Sequence, residues 1–215
     1  MRAERNPFLA SSLKPEPLWD AYWTYIQGVF HLDFGMIGNP WGGRDMISLA
    51  KVLIQAVEAS GGLMGIALVV SVLAGLFIGF RATHYDPPRM ARWMAWLSTL
   101  GLAMPSFFIG SLFFAGWFLY VLLKGPGTIP LPLTGFGWDS HLIVPVIVLM
   151  ARPTVQIAHI TAGFLVEEYG KQYVVAARST GNTWRKIRGK HVFRNILSPV
   201  ILTIASSIRW LVGEL

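Results

Sequence analysis

Ala59 to Phe80 reads ASGGLMGIALVVSVLAGLFIGF, 22 residues without a single charged side chain. At a rise of about 1.5 Å per residue the run spans about 33 Å as a helix, the thickness of a bilayer hydrocarbon core. The rest of the composition agrees with a membrane as the solvent. Of 215 residues, 53% are hydrophobic and 13% charged, and the mean hydropathy is +0.51. That leaves too little polar surface to wrap a water-soluble core. The fold class expected is an all-α integral membrane protein.

Outward from this first span, Trp93 to Leu123 is uncharged for 31 residues. One straight helix of that length would reach about 46 Å and overshoot the bilayer. Pro105, in AMPSFF, is expected to kink or break it, because proline removes one helical hydrogen bond and collides with the preceding turn. Trp93, Trp96, Trp117 and Tyr120 fall near the ends of the run, where amphipathic rings favour the interface. A third span is expected over 142–166, interrupted by Pro145, Arg152, Pro153 and His159, and a fourth over 195–215, carrying Arg209 and Glu214. The result is a polytopic helical bundle with spans at about 59–80, 93–123, 142–166 and 195–215, preceded by a segment over 1–58. Within that segment PLWDAYWTYIQGVFHLDFGM places Leu18, Tyr22, Tyr25, Ile26 and Val29 at helical spacing, which predicts an amphipathic helix packed on the membrane or on a span.

A net charge of +7 and a pI near 10.0 raise the possibility of a nucleic-acid partner, but the charges lie in the wrong places for one. Residues 1–58 carry 5 basic and 6 acidic side chains, 81–92 carry 3 basic and 1 acidic, and 167–194 carry 7 basic and 2 acidic. A positive excess confined to alternate loops is how membrane orientation is written, and it excludes a DNA-binding face. Loops 81–92 and 167–194 are therefore expected on the cytoplasmic side. Residues 1–58 and the turn-rich KGPGTIPLPLTGFGWDSH (124–141) are expected outside. An external segment of 58 residues without a leader, and a chain that stops within an apolar run, together predict at least one missing span at each end.

Chemistry of its own is not expected. Cysteine is absent and the five histidines are scattered without ligand spacing, so no metal or disulfide is read. No serine sits in a Gly-x-Ser-x-Gly elbow, which leaves no catalytic residue to name. A P-loop fails as well: Gly163 with Gly170-Lys171-Gln172, and Gly181 with Gly189-Lys190-His191, lack both the spacing and the hydroxyl. Any ATP hydrolysis belongs to a separate subunit.

The loop 167–194 reads as a helix, a glycine-centred turn at STGNT, and a second helix from about Thr183. Ala176 and Ala177 offer a small-residue face that lets another backbone approach closely. Gly181 permits the positive φ of a sharp turn. Seven cations also suit a loop lying against anionic headgroups, and the residues by themselves leave both readings open.

KQYVVAARSTG (Lys171 to Gly181) and KHVFRNILSPV (Lys190 to Val200) resemble the cytoplasmic signature EDYVRTARAKG and RHALRNALLPV of the permease subunits of ATP-binding-cassette importers, in the dipeptide, oligopeptide and nickel branch. PLWDAYWTYIQGVFHLDFG and LGLAMPSFFIGSLFF are similar to that family's PLWVQYLRWLGGLLHGDFG and LGLSLPSFWLGLLLI. The resemblance implies the type I permease fold, of which this chain has four of six spans, in a bacterial inner membrane. It implies a solute permease driven by two ATPase subunits, paired with a second homologous permease, fed by an external solute-binding protein, and holding no cofactor. The loop 167–194 would be the coupling element seated in the ATPase, with Tyr173, Ala176, Ala177, Arg178, Gly181, Trp184, His191, Arg194 and Asn195 matching its motif. Lys171 and Gln172 replace an acidic pair there, Thr180 a lysine, and Ala162 an arginine. A membrane scaffold or insertase-like subunit is the alternative.

Arg152 and His159 fall on one face of the third span, with Arg152 roughly 15 Å into the membrane. An intramembrane arginine costs about 2.5 to 3.5 kcal/mol even on a lenient scale, so it faces protein or water. Pro105, Ser106, Arg152, His159 and Arg209 are the candidate translocation path. The structural alternative has Arg152 bonded to carbonyls loosened by Pro153, and Arg209 snorkelling or paired with Glu214.

Overall fold

The computed structural model describes residues 17–39, 45–85, 87–125 and 137–214. The chain divides into two compact units, 1–59 and 60–215.

In the first unit, helix α1 (Leu18–Phe30) is followed by a two-stranded antiparallel hairpin, β1 (Met36–Gly38) and β2 (Met46–Ser48). A helix forms where one was expected, but of the predicted apolar face only Ile26 and Val29 are half-buried, while Leu18, Tyr22 and Tyr25 are exposed. It ends where the backbone turns back, the Asp33 amide donating to the Gly28 carbonyl at 2.8 Å.

Helix α2 (Leu49–Arg81) runs for 33 residues and contains the opening stretch. Its hydrophobicity is nearly uniform around the axis, so hydropathy does not choose its buried face; side-chain size does. Ala67, Ser71, Gly75 and Gly79 recur every fourth residue and are its buried positions. Such a small-residue stripe lets two backbones meet closely in lipid. A Cβ on Gly75 would lie 2.8 Å from Ile157 Cβ and 2.9 Å from the Thr154 carbonyl oxygen, and one on Gly79 would lie 2.7 Å from Thr161 Cβ.

A hairpin not expected from the sequence follows, β3 (Thr83–Tyr85) paired antiparallel with β4 (Pro88–Met90). The Ala91 amide closes its base on the Ala82 carbonyl at 2.7 Å. The 31-residue apolar stretch read as one span is two helices, which corrects that reading. Helix α3 (Arg92–Ala103) stops before Pro105, and α4 (Ser106–Lys124) starts after it. Pro105 has no N–H to give and its ring fixes φ (−69°); with ψ at 152° the backbone is extended just ahead of α4, where the first amides of a helix have no partner within it. The membrane-length helix here is therefore the 19-residue α4.

A 3₁₀ turn (Ser140–Leu142), with the His141 amide and ring both bonded to the Asp139 carboxylate, leads into α5 (Ile143–Tyr169). Residues 126–136, which make up most of the predicted external connector, lie outside the described residues. Two short helices, α6 (Gln172–Ser179) and α7 (Trp184–Ile187), and a π-helical turn (Arg188–Val192) lead to α8 (Phe193–Glu214).

Among the described residues, four helical segments are long and apolar enough to cross a membrane: Leu49–Arg81, Ser106–Lys124, Ser140–Tyr169 and Trp184–Gly213. Helix α5 is the hub of the second unit and packs against α3, α4, α8 and the β3–β4 hairpin. Its buried residues therefore run almost its full length, from Val144 to Tyr169. By contrast α4 has no buried residue, and Phe107, Phe118 and Leu123 on it are exposed, as suits a helix bathed in lipid. The architecture is the helical membrane bundle that the composition required.

Candidate functional site

The loop 167–194 forms a compact knob over a small apolar core. Leu165, Tyr169, Val174, Ile187, Val192 and Ile196 are buried beneath it, with Tyr173, Ala177, Trp184 and Phe193 packed against them. Val174 sits on the inner face of α6, while Val175 is 63% exposed and Ala176 and Arg178 face outward.

Helix α6 ends by a turn that its sequence dictates. Gly181 takes φ +82°, a left-handed conformation that costs a Cβ-bearing residue energy, and its amide donates to the Arg178 carbonyl at 3.0 Å. The Ala177 carbonyl, freed at the helix end, accepts from the Asn182 amide (3.3 Å), Asn182 Nδ2 (3.0 Å) and Thr180 Oγ1 (2.9 Å). The chain then restarts as α7, with the Thr183 carbonyl accepting from the Lys186 and Ile187 amides.

Two anchors fix the knob to the bundle, one polar and one aromatic. The first is Glu168, a buried carboxylate near the end of α5. It accepts from Lys171 Nζ, Tyr173 Oη and Asn195 Nδ2, the last at 3.1 Å, and Asn195 also reaches Tyr173 Oη at 3.3 Å. One side chain thus ties together α5, α6 and α8. Burial, and then the bond to the Glu168 carboxylate, push the Tyr173 hydroxyl up to about 12, so it remains a donor throughout the neutral range. Hydrogen bonding to Glu168 likewise raises the Lys171 ammonium. The replacement of an acidic residue by Lys171 now has a reason, since its ammonium turns back to Glu168 and, at 3.5 Å, to Glu167.

The second anchor is aromatic. Trp184 stacks on Tyr85 with ring centroids 4.8 Å apart and planes at 19°, and Tyr169 meets both rings edge-on. Arg178 lies 5.0 Å over the Trp184 ring, and Arg188 Nη1 donates to Tyr85 Oη at 2.6 Å. Of the predicted loop residues, Tyr173, Ala177, Trp184 and Asn195 therefore serve the anchors and the core, while Ala176, Arg178, Gly181, His191 and Arg194 are exposed. Glu168, Tyr85 and Arg188 were not singled out by the sequence.

A polar seam runs between α5 and α8. The Arg152 guanidinium lies 4.3 Å over the Trp210 ring, and Gln156 Nε2 approaches Ser206 Oγ at 3.4 Å. On the α8 side, Thr203, Ser206 and Ser207 return their hydroxyls to carbonyls of their own helix. His159 Nδ1, Thr154 Oγ1 and Thr161 Oγ1 are buried without a hydrogen-bond partner among the described residues. Pro105 and Ser106 lie instead at the junction of α3 and α4, and Arg209 is exposed on α8. The Glu214 side chain, its suggested partner, lies outside the described residues. No group of three or more histidine, cysteine or acidic residues placed to hold a metal occurs among the described residues.

Residues 67–215 match the model of the family described as binding-protein-dependent transport system inner membrane component. The chain is 26% identical over 189 residues to the dipeptide transport system permease protein of Lactococcus lactis subsp. cremoris, covering 88% of this chain and 59% of that protein. It is 28% identical over 218 residues to the peptide transport system permease protein of Salmonella typhimurium, covering 88% and 65%. The putrescine export system permease protein of Escherichia coli is 27% identical over 218 residues, again with 88% and 65% covered. The chain thus spans about three-fifths of the length of these curated relatives.

Proposed function

Because the chain belongs to the family of binding-protein-dependent transport system inner membrane components, we propose that it is a permease subunit of an ATP-driven importer of peptides. In this reading the knob 167–194 faces the cytoplasm and docks on one of two ATPase subunits. A second permease completes the pathway, and an external binding protein delivers the solute. The observation that carries the reading is the knob itself: an exposed outer face at Val175 and Ala176, mounted rigidly on the bundle through Glu168 and Trp184. A surface so fixed transmits a push to the spans, whereas a loop lying on headgroups needs no such mounting.

The docking test belongs on Ala176, because Ala177 packs inward and a large residue there would disturb the knob's own core. Ala176→Trp, in the assembled complex, is expected to cut co-purifying ATPase at least about tenfold, a loss of roughly 1.4 kcal/mol of docking energy. Normal ATPase recovery at normal expression overturns the docking reading and favours a scaffold.

Two relatives are named for peptide transport and one for putrescine export, and charge supports the peptide reading. Apart from helix ends, the charged side chains on α5 and α8 are Arg152 and Arg209. A dication would be repelled there, whereas a peptide carboxylate would be attracted. Arg152, held over Trp210 and in line with His159, is the better placed of the two. Arg152→Ala is expected to lower uptake of labelled dipeptides at least about tenfold with ATPase assembly intact, and Arg209→Ala to lower it less. Unchanged uptake at normal expression removes both from the path.

A further inference from the structure

We infer that the β3–β4 hairpin is a strut that positions the docking knob, with Tyr85 as its positioning residue; the inference rests on reading 167–194 as the ATPase-docking loop. Tyr85 meets the knob in three ways. Its ring stacks on Trp184, its edge contacts Tyr169, and its hydroxyl accepts from Arg188, a residue 103 positions away in the chain. Arg188 also lies 5.4 Å over Phe80, on the last turn of α2. It opens the π-helical turn that joins α7 to α8.

The other end of the strut is set in the bundle. Ala82, at the base of the hairpin, is fully buried with Met94 of α3 and with Ala158 and Ala162 of α5. A single residue, Ala82, separates the hairpin from α2, and a single residue, Ala91, separates it from α3. A force on α7 therefore reaches α2 and α3 across Tyr85 directly, whereas the Glu168 anchor carries it to α5 and α8. Both anchors reach α5, the aromatic one through Tyr169, but the hairpin is the one joined to α2 and α3, and loss of Tyr85 should leave docking intact while that side of the lever goes slack.

Three measurements on the complete transporter test this. Tyr85→Ala is expected to retain co-purifying ATPase and ATP hydrolysis within about twofold, while uptake of a carbon-14-labelled mixture of di- and tripeptides per ATP falls about tenfold. Tyr85→Phe, which keeps the stacked ring and removes only the acceptor for Arg188, is expected to lose about threefold, and it carries the test if the alanine variant does not accumulate. Uptake per ATP within about twofold of the parent in both variants overturns the strut.

The absence of cysteine allows a rescue experiment. A Tyr85→Cys and Trp184→Cys double variant should be uncoupled as made and recover at least about half its coupling once joined by a two-carbon bismaleimide. Failure of the link to restore coupling counts against the inference. The third readout needs no solute: the rate of linking should agree within about threefold between nucleotide-free and vanadate-trapped complexes, and a change beyond about tenfold means hairpin and knob do not move as one. Failure of the docking reading looks different, because it appears as ATPase retained by Ala176→Trp while this spacing is unchanged.

Discussion

Gly79→Leu is expected to abolish the native bundle while leaving the chain inserted in the membrane. The position lies on the stripe where α2 meets α5. A Cβ there would stand 2.7 Å from Thr161 Cβ and 2.9 Å from the Ala158 carbonyl oxygen. Backbone cannot swing aside as the end of a flexible side chain can, so the helices must separate, and separation forfeits the contacts that hold them in lipid. Association there draws on dispersion and close backbone approach with no hydrophobic driving force to replace them. Overpacking one site costs about 1 to 3 kcal/mol, and a leucine wedged against a helix backbone belongs at or above the top of that range. In detergent the variant should show no cooperative thermal transition, or one at least about 10 °C lower. Gly75→Leu should behave alike, because its Cβ would meet Ile157 and the Thr154 carbonyl. Gly116→Leu on α4 is the control, since nothing described lies within 4 Å of a Cβ there. A Gly79→Leu protein as stable as the Gly116→Leu control would show that α2 and α5 do not meet along this stripe.

The stripe was not read from the sequence, although its period of four needs no partner to be seen. The spans were read from missing charge, which follows from what lipid excludes. Charge alone did not reveal that Pro105 divides the second stretch completely, because a proline kink and a proline break have the same composition. The β3–β4 hairpin had no such signature: RATHYDPPRMAR lacks alternation, and its strands hold because Ala82 and Tyr85 find partners on distant helices. Within the knob, Gly181 and the small residues were readable because turn chemistry is local. Glu168 was counted only as a minor acidic entry in a basic loop. Its three donors come from Lys171, Tyr173 and Asn195, and the last of these is 27 residues away. Sequence yields local geometry and solvent preference; it does not show which distant groups share a carboxylate.

Glu168→Ala should therefore detach the knob without unfolding the bundle. Three donors lose their acceptor together. Lys171 is exposed enough for water to replace the bond, so the loss falls on Tyr173 and Asn195. Hydrogen bonds to a charged acceptor are worth about 1.5 to 3 kcal/mol each, and partial exposure of both donors places the combined loss near about 2 kcal/mol. That energy raises the population of the detached knob by about thirtyfold. The knob carries its own probe, because Lys171, Arg178, Arg185 and Lys186 are trypsin sites, and cleavage follows the open fraction when reclosing is fast. Tryptic cleavage within 171–186 should accelerate about 10- to 30-fold, while the thermal transition of the bundle moves by less than about 3 °C; co-purifying ATPase, which follows the attached majority, should change by less than about twofold. Glu168→Gln is no conservative rescue. Its carboxamide offers one acceptor oxygen where the carboxylate offers two, and its amino group takes the place of either the oxygen that faces Lys171 or the one that Tyr173 and Asn195 share, turning a donor on a donor in both cases. Adding Tyr173→Phe to Glu168→Ala should then cost less than it does in the parent, by about 1 kcal/mol, because the shared bond is already gone. Full additivity, or unchanged trypsin sensitivity in Glu168→Ala, would mean that the apolar core beneath the knob holds it alone and that the carboxylate is incidental.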